Sequence, residues 1–328
     1  MMAEDPLKRV IAHLRHEDKH SLQKRYASFF VAGTRKRLLN EIQTWFEDVH
    51  VNRNTSRLLL VSGKACVGKS VLVAHICNAS PVENGRIPVA AHHFFQYGNE
   101  IEKNTKLAFL SIAKQLEKRI PSFHIPFSWK NEKHLSAVLQ KWSLKEIIQQ
   151  YISRPSKSVK KQDTLKRYAI VLDGIDECEL DEELDLRENL LLLPKILPDW
   201  LCTVATTRPP ADLWWNASKS RHRPVILTMD TSDETNKNDV QLVLRFYLND
   251  RFSERPEELV EIKSKLKARA KGSLSSLSFL KSILSSNPQV DADINSVSVN
   301  EILQAQSELP FDYESRILRI KNRILNDG

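Results

Sequence analysis

The chain has 328 residues, 41% hydrophobic and 27% charged, with 49 basic residues against 41 acidic ones for a net charge of +8. This is the make-up of a globular protein with room for about two domains, and it excludes a disordered, collagen-like or disulfide-built chain. Cys66, Cys77, Cys178 and Cys202 form neither a CxxC pair nor a zinc spacing. The N-terminal stretch is too charged for a secretory signal, and no apolar run approaches the ~20 residues that span a bilayer. The expectation is a cytoplasmic protein with reduced thiols and no membrane span.

Residues 7–18 read as a polar helix. Thr34 is placed as the N-cap of a helix whose Leu38, Leu39, Ile42, Trp45 and Phe46 share one apolar face. The run RLLLV (57–61) suits a buried strand of a parallel sheet, and a helix follows over 70–77. A second strand is read over 88–96, a long helix from Thr105 to just before Pro121, and two short helices over 131–153.

Next comes the densest basic stretch, with Arg154, Lys157, Lys160, Lys161, Lys166 and Arg167. No aromatic residue interrupts these charges to offer a stacking surface, so 154–164 reads as a solvated linker and nucleic acid is not the expected partner. YAIVL (168–172) is a third strand, ENLLLLPKIL (188–197) begins helical and stops at its prolines, and 201–207 and 224–229 complete the strands. After about Asp230 only amphipathic helices are read, over 238–285 and 311–325. Strands alternating with helices, then helices alone, give a doubly wound α/β domain followed by a small all-helical one, with sites at the carboxyl ends of the strands.

Gly63, Lys64, Ala65, Cys66, Val67, Gly68, Lys69 and Ser70 match GxxxxGK[ST] between a predicted strand and a predicted helix that continues with Val71. In such a loop backbone N–H groups cradle phosphates, the lysine reaches the β/γ-phosphates, and the hydroxyl serves Mg²⁺. Asp173 ends the strand YAIVL, and a carboxylate at the tip of a neighbouring strand suits the same Mg²⁺. Asp176 and Glu177 are candidates to orient or deprotonate an attacking water, although the acidic run 176–188 also reads as the first turns of a helix. Arg208 closes the strand at 201–207, where a guanidinium can report a γ-phosphate.

Two patterns are set aside. Asn236, Lys237, Asn238 and Asp239 spell the guanine-specificity element NKxD, but they lie beyond the preceding strand, and Asp173 is followed by GIDE rather than by a glycine three places on. Asn238 or Asp239 is instead expected to cap a helix at 240–250. His92 and His93 alternate faces on a strand and so do not converge on one metal.

Taken together, GKACVGKS (63–70), AIVLDGIDE (169–177) and ATTRP (205–209) resemble the NACHT module of the STAND class of P-loop ATPases, especially its fungal and lower-eukaryotic type. FFVAGTRKRLLNEIQTWF (29–46) is similar to the segment before the P-loop there, in which a G-T-R-like hinge, here Gly33 to Arg35, lies against the adenine side of the nucleotide. Residues 238–248 and 271–284 resemble the helical domain of that class, and 307–320 the start of its winged-helix domain.

The implied organisation is a hinge segment over 1–50, a P-loop NTPase core over 51–229 with a parallel sheet between helices, a helical domain over 230–300, and the start of a winged helix over 301–328. The implied activity is an ATP/ADP-binding, Mg²⁺-dependent signalling switch with slow ATP hydrolysis and nucleotide-controlled self-association or association with partner signalling proteins. Three departures stand out. Cys66 occupies a position usually glycine, so a Cβ enters the loop. The small-domain G-S-F-L-like motif reads Gly272, Ser273, Leu274. The histidine sensor of the winged helix has no counterpart in these residues. A scaffold with a structural or lost nucleotide is the alternative reading; a GTPase, a small-molecule kinase and a nucleic-acid-dependent ATPase rank below it.

Overall fold

The computed structural model describes residues 21–52, 55–78, 87–125, 132–164, 166–209, 223–249, 256–274 and 277. The helices read over 7–18 and 311–325, and the segment 307–320, lie outside them.

Helix α1 (Ser21–Ala27) and helix α2 (Lys36–Val51) precede strand β1 (Leu58–Gly63). Helix α3 (Lys69–Asn78), strand β2 (Val89–Phe94) and helix α4 (Thr105–Arg119) follow. Then come α5 (Glu132–Lys141), α6 (Leu144–Ile147), a π-helical stretch (Ile148–Ser153), α7 (Arg154–Lys157) and α8 (Lys161–Thr164). Strand β3 (Tyr168–Asp173), a 3-10 turn (Ile175–Glu177), α9 (Leu180–Ile196), β4 (Leu201–Thr207) and β5 (Val225–Met229) complete the core, and α10 (Glu234–Leu248) and α11 (Pro256–Ala270) follow it.

The five strands form one parallel sheet in the order β2-β3-β4-β1-β5. Alternate residues of β1 leave on opposite faces, and every one of them is buried. Leu58 and Leu60 join α4, α6, the π-helical stretch and α9 in one apolar cluster, while Leu59 and Val61 join α2 and α3 in another. This is why RLLLV is uniformly apolar rather than alternating. A third cluster unites Val240, Val243 and Leu244 of α10 with Ile262 and Leu266 of α11 and with Val31, which lies just before α2. The chain between Val31 and Leu38 thus passes from the helical segment into the core of the sheet domain. The expected α/β P-loop NTPase fold is present.

Several local expectations are corrected. Thr34 does not cap α2: its hydroxyl donates to the Val31 carbonyl (2.7 Å), and the N-cap is Arg35 in the left-handed region (φ 59°). The basic stretch 154–164 is no solvated linker. Arg154–Lys157 and Lys161–Thr164 are helical, and Pro155 and Ser156 are buried because the lysines reach solvent from a backbone that packs. Pro194 does not end its helix, which runs to Ile196. The Arg57 guanidinium donates to the carbonyls of Pro194 and Leu197 at that end, and so satisfies groups the helix leaves open. The helix after β5 starts at Glu234 on an Asp233 cap, so Asn238 and Asp239 lie inside it and cap nothing. Finally, β3 is not adjacent to β1, because β4 lies between them.

Gly272 packs closely against the turn between β5 and α10. Its φ is +81°, and a Cβ there would collide with the Thr231 carbonyl. Replacing Gly272 with alanine is expected to cost roughly 1–2 kcal/mol from the left-handed backbone alone, with the collision adding to it. Hydrogen exchange should then accelerate across α10 and α11 before the sheet is affected; unchanged exchange there would refute this account.

Candidate nucleotide-binding site

The register aligns Ser62 of β1 with Thr207 of β4 and Thr228 of β5, and Phe94 of β2 with Asp173 of β3. All five carboxyl ends therefore meet at one edge, where the candidate residues gather. The phosphate loop leaves β1 at Gly63, where an added Cβ would lie 2.8 Å from the Met229 carbonyl oxygen and 2.9 Å from Val67 Cγ1, so only glycine fits. Positive φ angles at Cys66 (66°) and Gly68 (99°) curl the loop before α3. At Gly68 this is unstrained; at Cys66 it is the conformation a β-carbon disfavours.

Lys69 is buried, and its Nζ donates to the carbonyls of Gly63 (2.6 Å) and Lys64 (3.0 Å), which places the ammonium inside the curl. The Asp173 carboxylate is 3% exposed. Its Oδ1 accepts from Thr206 Oγ1 at 2.6 Å, and the Thr206 oxygen in turn accepts from the Gly174 N–H at 2.8 Å. Burial pushes the Asp173 carboxyl above its ordinary range, against hydrogen bonds from Thr206 and Ser70 and the nearby Lys69 charge, while Asp176 adds to the upward push. Ser70 and Asp173 thus meet across the intervening β4.

Gly174, in the left-handed region (φ 69°), turns the chain into the 3-10 helix that carries Asp176 and Glu177. Arg208, one residue past β4, pairs with both acids: Nε lies 3.0 Å from Asp176 Oδ2 and Nη2 lies 3.0 Å from Glu177 Oε1. The three side chains read as water-activating acids and phosphate sensor form one cluster.

The loop has a second set of contacts on its outer side. Ser273 Oγ donates to the Cys66 carbonyl (2.9 Å), and Arg35 Nη2 donates to the Val67 carbonyl. Arg35 Nη1 donates to Asn236 Oδ1 (2.7 Å) and lies 3.4 Å from Asp239 Oδ2, which also accepts from the Arg35 backbone N–H (3.1 Å). A cleft of about 360 Å³ opens beside this point, with Gly33, Arg35, Asp230, Asp233, Asn238 and Leu242 in its walls. Sequence reasoning named Ser273 only as part of the G-S-F-L-like motif, and it missed Thr206 and the tie of Asn236 and Asp239 to Arg35. The hydroxyl two residues before Arg208 was a usable signal for Thr206; nothing local marks that tie.

A nucleoside phosphate and Mg²⁺ fit these residues. The curled loop opens a helix N-terminus, two hard oxygen donors converge at Ser70 and Asp173, and Arg35 Nε is buried beside the cleft with no hydrogen-bond partner. Among the described residues no helix is long and apolar enough to cross a membrane, and no group of three or more His, Cys, Asp or Glu side chains could hold a metal ion. His93 packs on Phe95, and its Nε2 is 2.9 Å from the Glu102 carbonyl oxygen.

The family model described as "Nephrocystin 3, N-terminal" matches residues 33–208, from the hinge glycine to the arginine after β4. The chain belongs to this family. No curated protein matches the sequence. Among solved structures, a Walker-type ATPase of Pyrococcus abyssi has a TM-score of 0.49 at 13% identity, covering 92% of this chain and 80% of its own. A chain of the Drosophila ORC bound to DNA has a TM-score of 0.43 at 17% identity (89% and 67% covered), and C. elegans PCH-2 one of 0.41 at 12% (83% and 68% covered). The stretch matched by the nephrocystin 3 N-terminal family takes in every candidate site residue. Ser273, Asn236 and Asp239 fall after it.

Two variants test this geometry. Asp173→Asn keeps the acceptor for Thr206 while removing a buried charge, so the ligand-free protein should gain stability on the order of 1 kcal/mol in denaturant melts, as functional sites that store destabilisation do. A loss of stability would mean that Lys69 more than offsets the burial. Cys66→Gly should add about 0.5–1 kcal/mol by removing left-handed strain, and an unchanged melt would show that the loop relaxes around Cys66.

Proposed function

We propose that the chain is an ATP/ADP-binding switch of the NACHT type, in which the occupant of the phosphate loop decides whether the helical segment stays on the core. The observation that carries this reading is the meeting of Ser70 and Asp173 across β4 with Lys69 beside them. In it Lys69 and the loop amides of residues 63–70 hold the phosphates, and the base lies in the cleft beside Gly33 and Arg35. Ser70 and Asp173 hold Mg²⁺, which when bound neutralises charge that develops on the phosphate oxygens. Release of the helical segment would expose a surface for self-association or for a partner signalling protein.

Slow hydrolysis follows from the acid cluster. Arg208 takes up one oxygen of Asp176 and one of Glu177, and so competes with a water for both carboxylates. A γ-phosphate beyond β4 offers Arg208 a competing acceptor, and moving to it would leave Glu177 or Asp176 to act on the water. One observation favours the alternative of a scaffold with a structural or lost nucleotide: Cys66 brings a β-carbon into the phosphate loop in the left-handed region.

The nucleotide carried by the purified protein, identified by mass spectrometry, is expected to be ADP or ATP. Lys69→Ala should abolish it, and Glu177→Gln should bind normally while lowering turnover about 10²-fold, the scale of a lost general base. Binding unaffected by Lys69→Ala sinks the switch. Normal binding with no turnover in the parent protein, and no change in assembly between ADP and a non-hydrolysable ATP analogue, selects the scaffold.

A further inference from the structure

We propose that Arg35 is a positioning residue that latches the helical segment to the phosphate loop, so that opening the segment and loosening the loop are one event. The evidence is a chain of contacts meeting at one side chain. The Arg35 guanidinium is 5% exposed and holds the Val67 carbonyl on one side and Asn236 and Asp239 of α10 on the other. Asn236 Nδ2 then donates to the carbonyls of Thr231 (3.2 Å) and Gly272 (2.6 Å), which fixes the turn carrying Ser273, and Ser273 returns to the loop at Cys66. The circuit is closed: loop, Arg35, α10, the turn at Gly272, and the loop again.

Stability alone does not account for an arginine here. Its backbone is in the left-handed region, where glycine would rest without strain. A buried Arg–Asp pair contributes little net stability once desolvation is counted. What the guanidinium supplies is reach and forked geometry, because two donors of one planar group bond two different bodies. It also occupies Asn236 and Asp239, the residues that gave the false guanine-specificity pattern. At Gly68 an added Cβ would lie 3.1 Å from Arg35 Nη2, so the guanidinium is seated directly against the loop backbone. A phosphate load that shifts the carbonyls of Cys66 and Val67 therefore pulls on both ends of the helical segment's attachment.

The latch deepens the switch reading, but its first test does not depend on nucleotide. In the nucleotide-free protein, Asp239→Asn is expected to speed amide exchange at least tenfold at both residues 66–68 and 271–274, while β1, β3 and β4 amides hold. Arg35→Lys keeps a cation for Asp239 but cannot span Val67 and Asn236 together, and it should give the same paired acceleration even if Asp239→Asn does not fold. Acceleration confined to residues 34–36 and 236–239 in either variant overturns the latch. With mant-ADP as probe, both variants should release nucleotide about tenfold faster, and an unchanged release rate also overturns the latch. If the parent protein binds no mant-ADP, the switch fails, and the exchange result alone decides the latch.

Discussion

A carboxylate taken out of water at the end of a parallel strand constrains everything around it. Asp173 ends β3 at the carboxyl edge of the sheet and is almost fully buried, behind Ile170 and Leu172 of the core. Its charge is tolerable only while hydroxyl donors and a cation face it. Thr206 is held in place by the β4 register, Ser70 by the first turn of α3, and Lys69 by the curl of the loop. Each comes from a different element, and the requirement that they meet sets how far the phosphate loop can lie from β3. The interposed β4 supplies Thr206 and then, two residues on, the Arg208 that gathers Asp176 and Glu177.

The loop imposes a complementary demand. Backbone amides turned inward for an anion leave carbonyls turned outward, and buried carbonyls require donors. Those of Gly63 and Lys64 take Lys69, that of Cys66 takes Ser273, and that of Val67 takes Arg35. Only the first pair is satisfied from within the loop and its own helix. The remaining two donors come from a turn about two hundred residues later in the chain and from the hinge before α2. The position of the helical segment is therefore part of the loop's own hydrogen-bond accounting, a stronger link than surface packing of one domain on another.

How much of this could be read from the chain depended on whether the cause was local. Strands β1 and β3 were legible because burial on both faces leaves an unbroken apolar run, and the phosphate loop because its chemistry needs fixed residues at fixed spacing. The linker over 154–164 was misread because composition reports where side chains end, whereas Pro155 and Ser156 report where the backbone lies. Thr34 was placed as a cap because threonine suits that role, but the competing Asp239 carboxylate captures the Arg35 N–H and moves the helix start. Strand order is a non-local property, and nothing in YAIVL or LCTVATT announces which lies beside β1. Asn236 and Asp239 belong to a base-reader pattern, and Asp239 also suits a cap. Their partner is about two hundred residues away in sequence, so no window along the chain contains the answer.

In the proposed switch, the acid cluster is what would keep the site quiet without blocking it. Arg208 bonds Asp176, which is buried, and Glu177, which solvent partly reaches. Exchanging those partners for a γ-phosphate replaces one set of charge-assisted bonds with another of similar strength, so the free-energy difference between the two arrangements is small. A small difference is what allows an occupant of the loop to bias it. Were Arg208 paired to a fully buried carboxylate such as Asp173, leaving would strand an uncompensated charge and the arrangement would be fixed. Exposure separates the three acids: Asp173 and Asp176 are buried, and Glu177 lies at the rim.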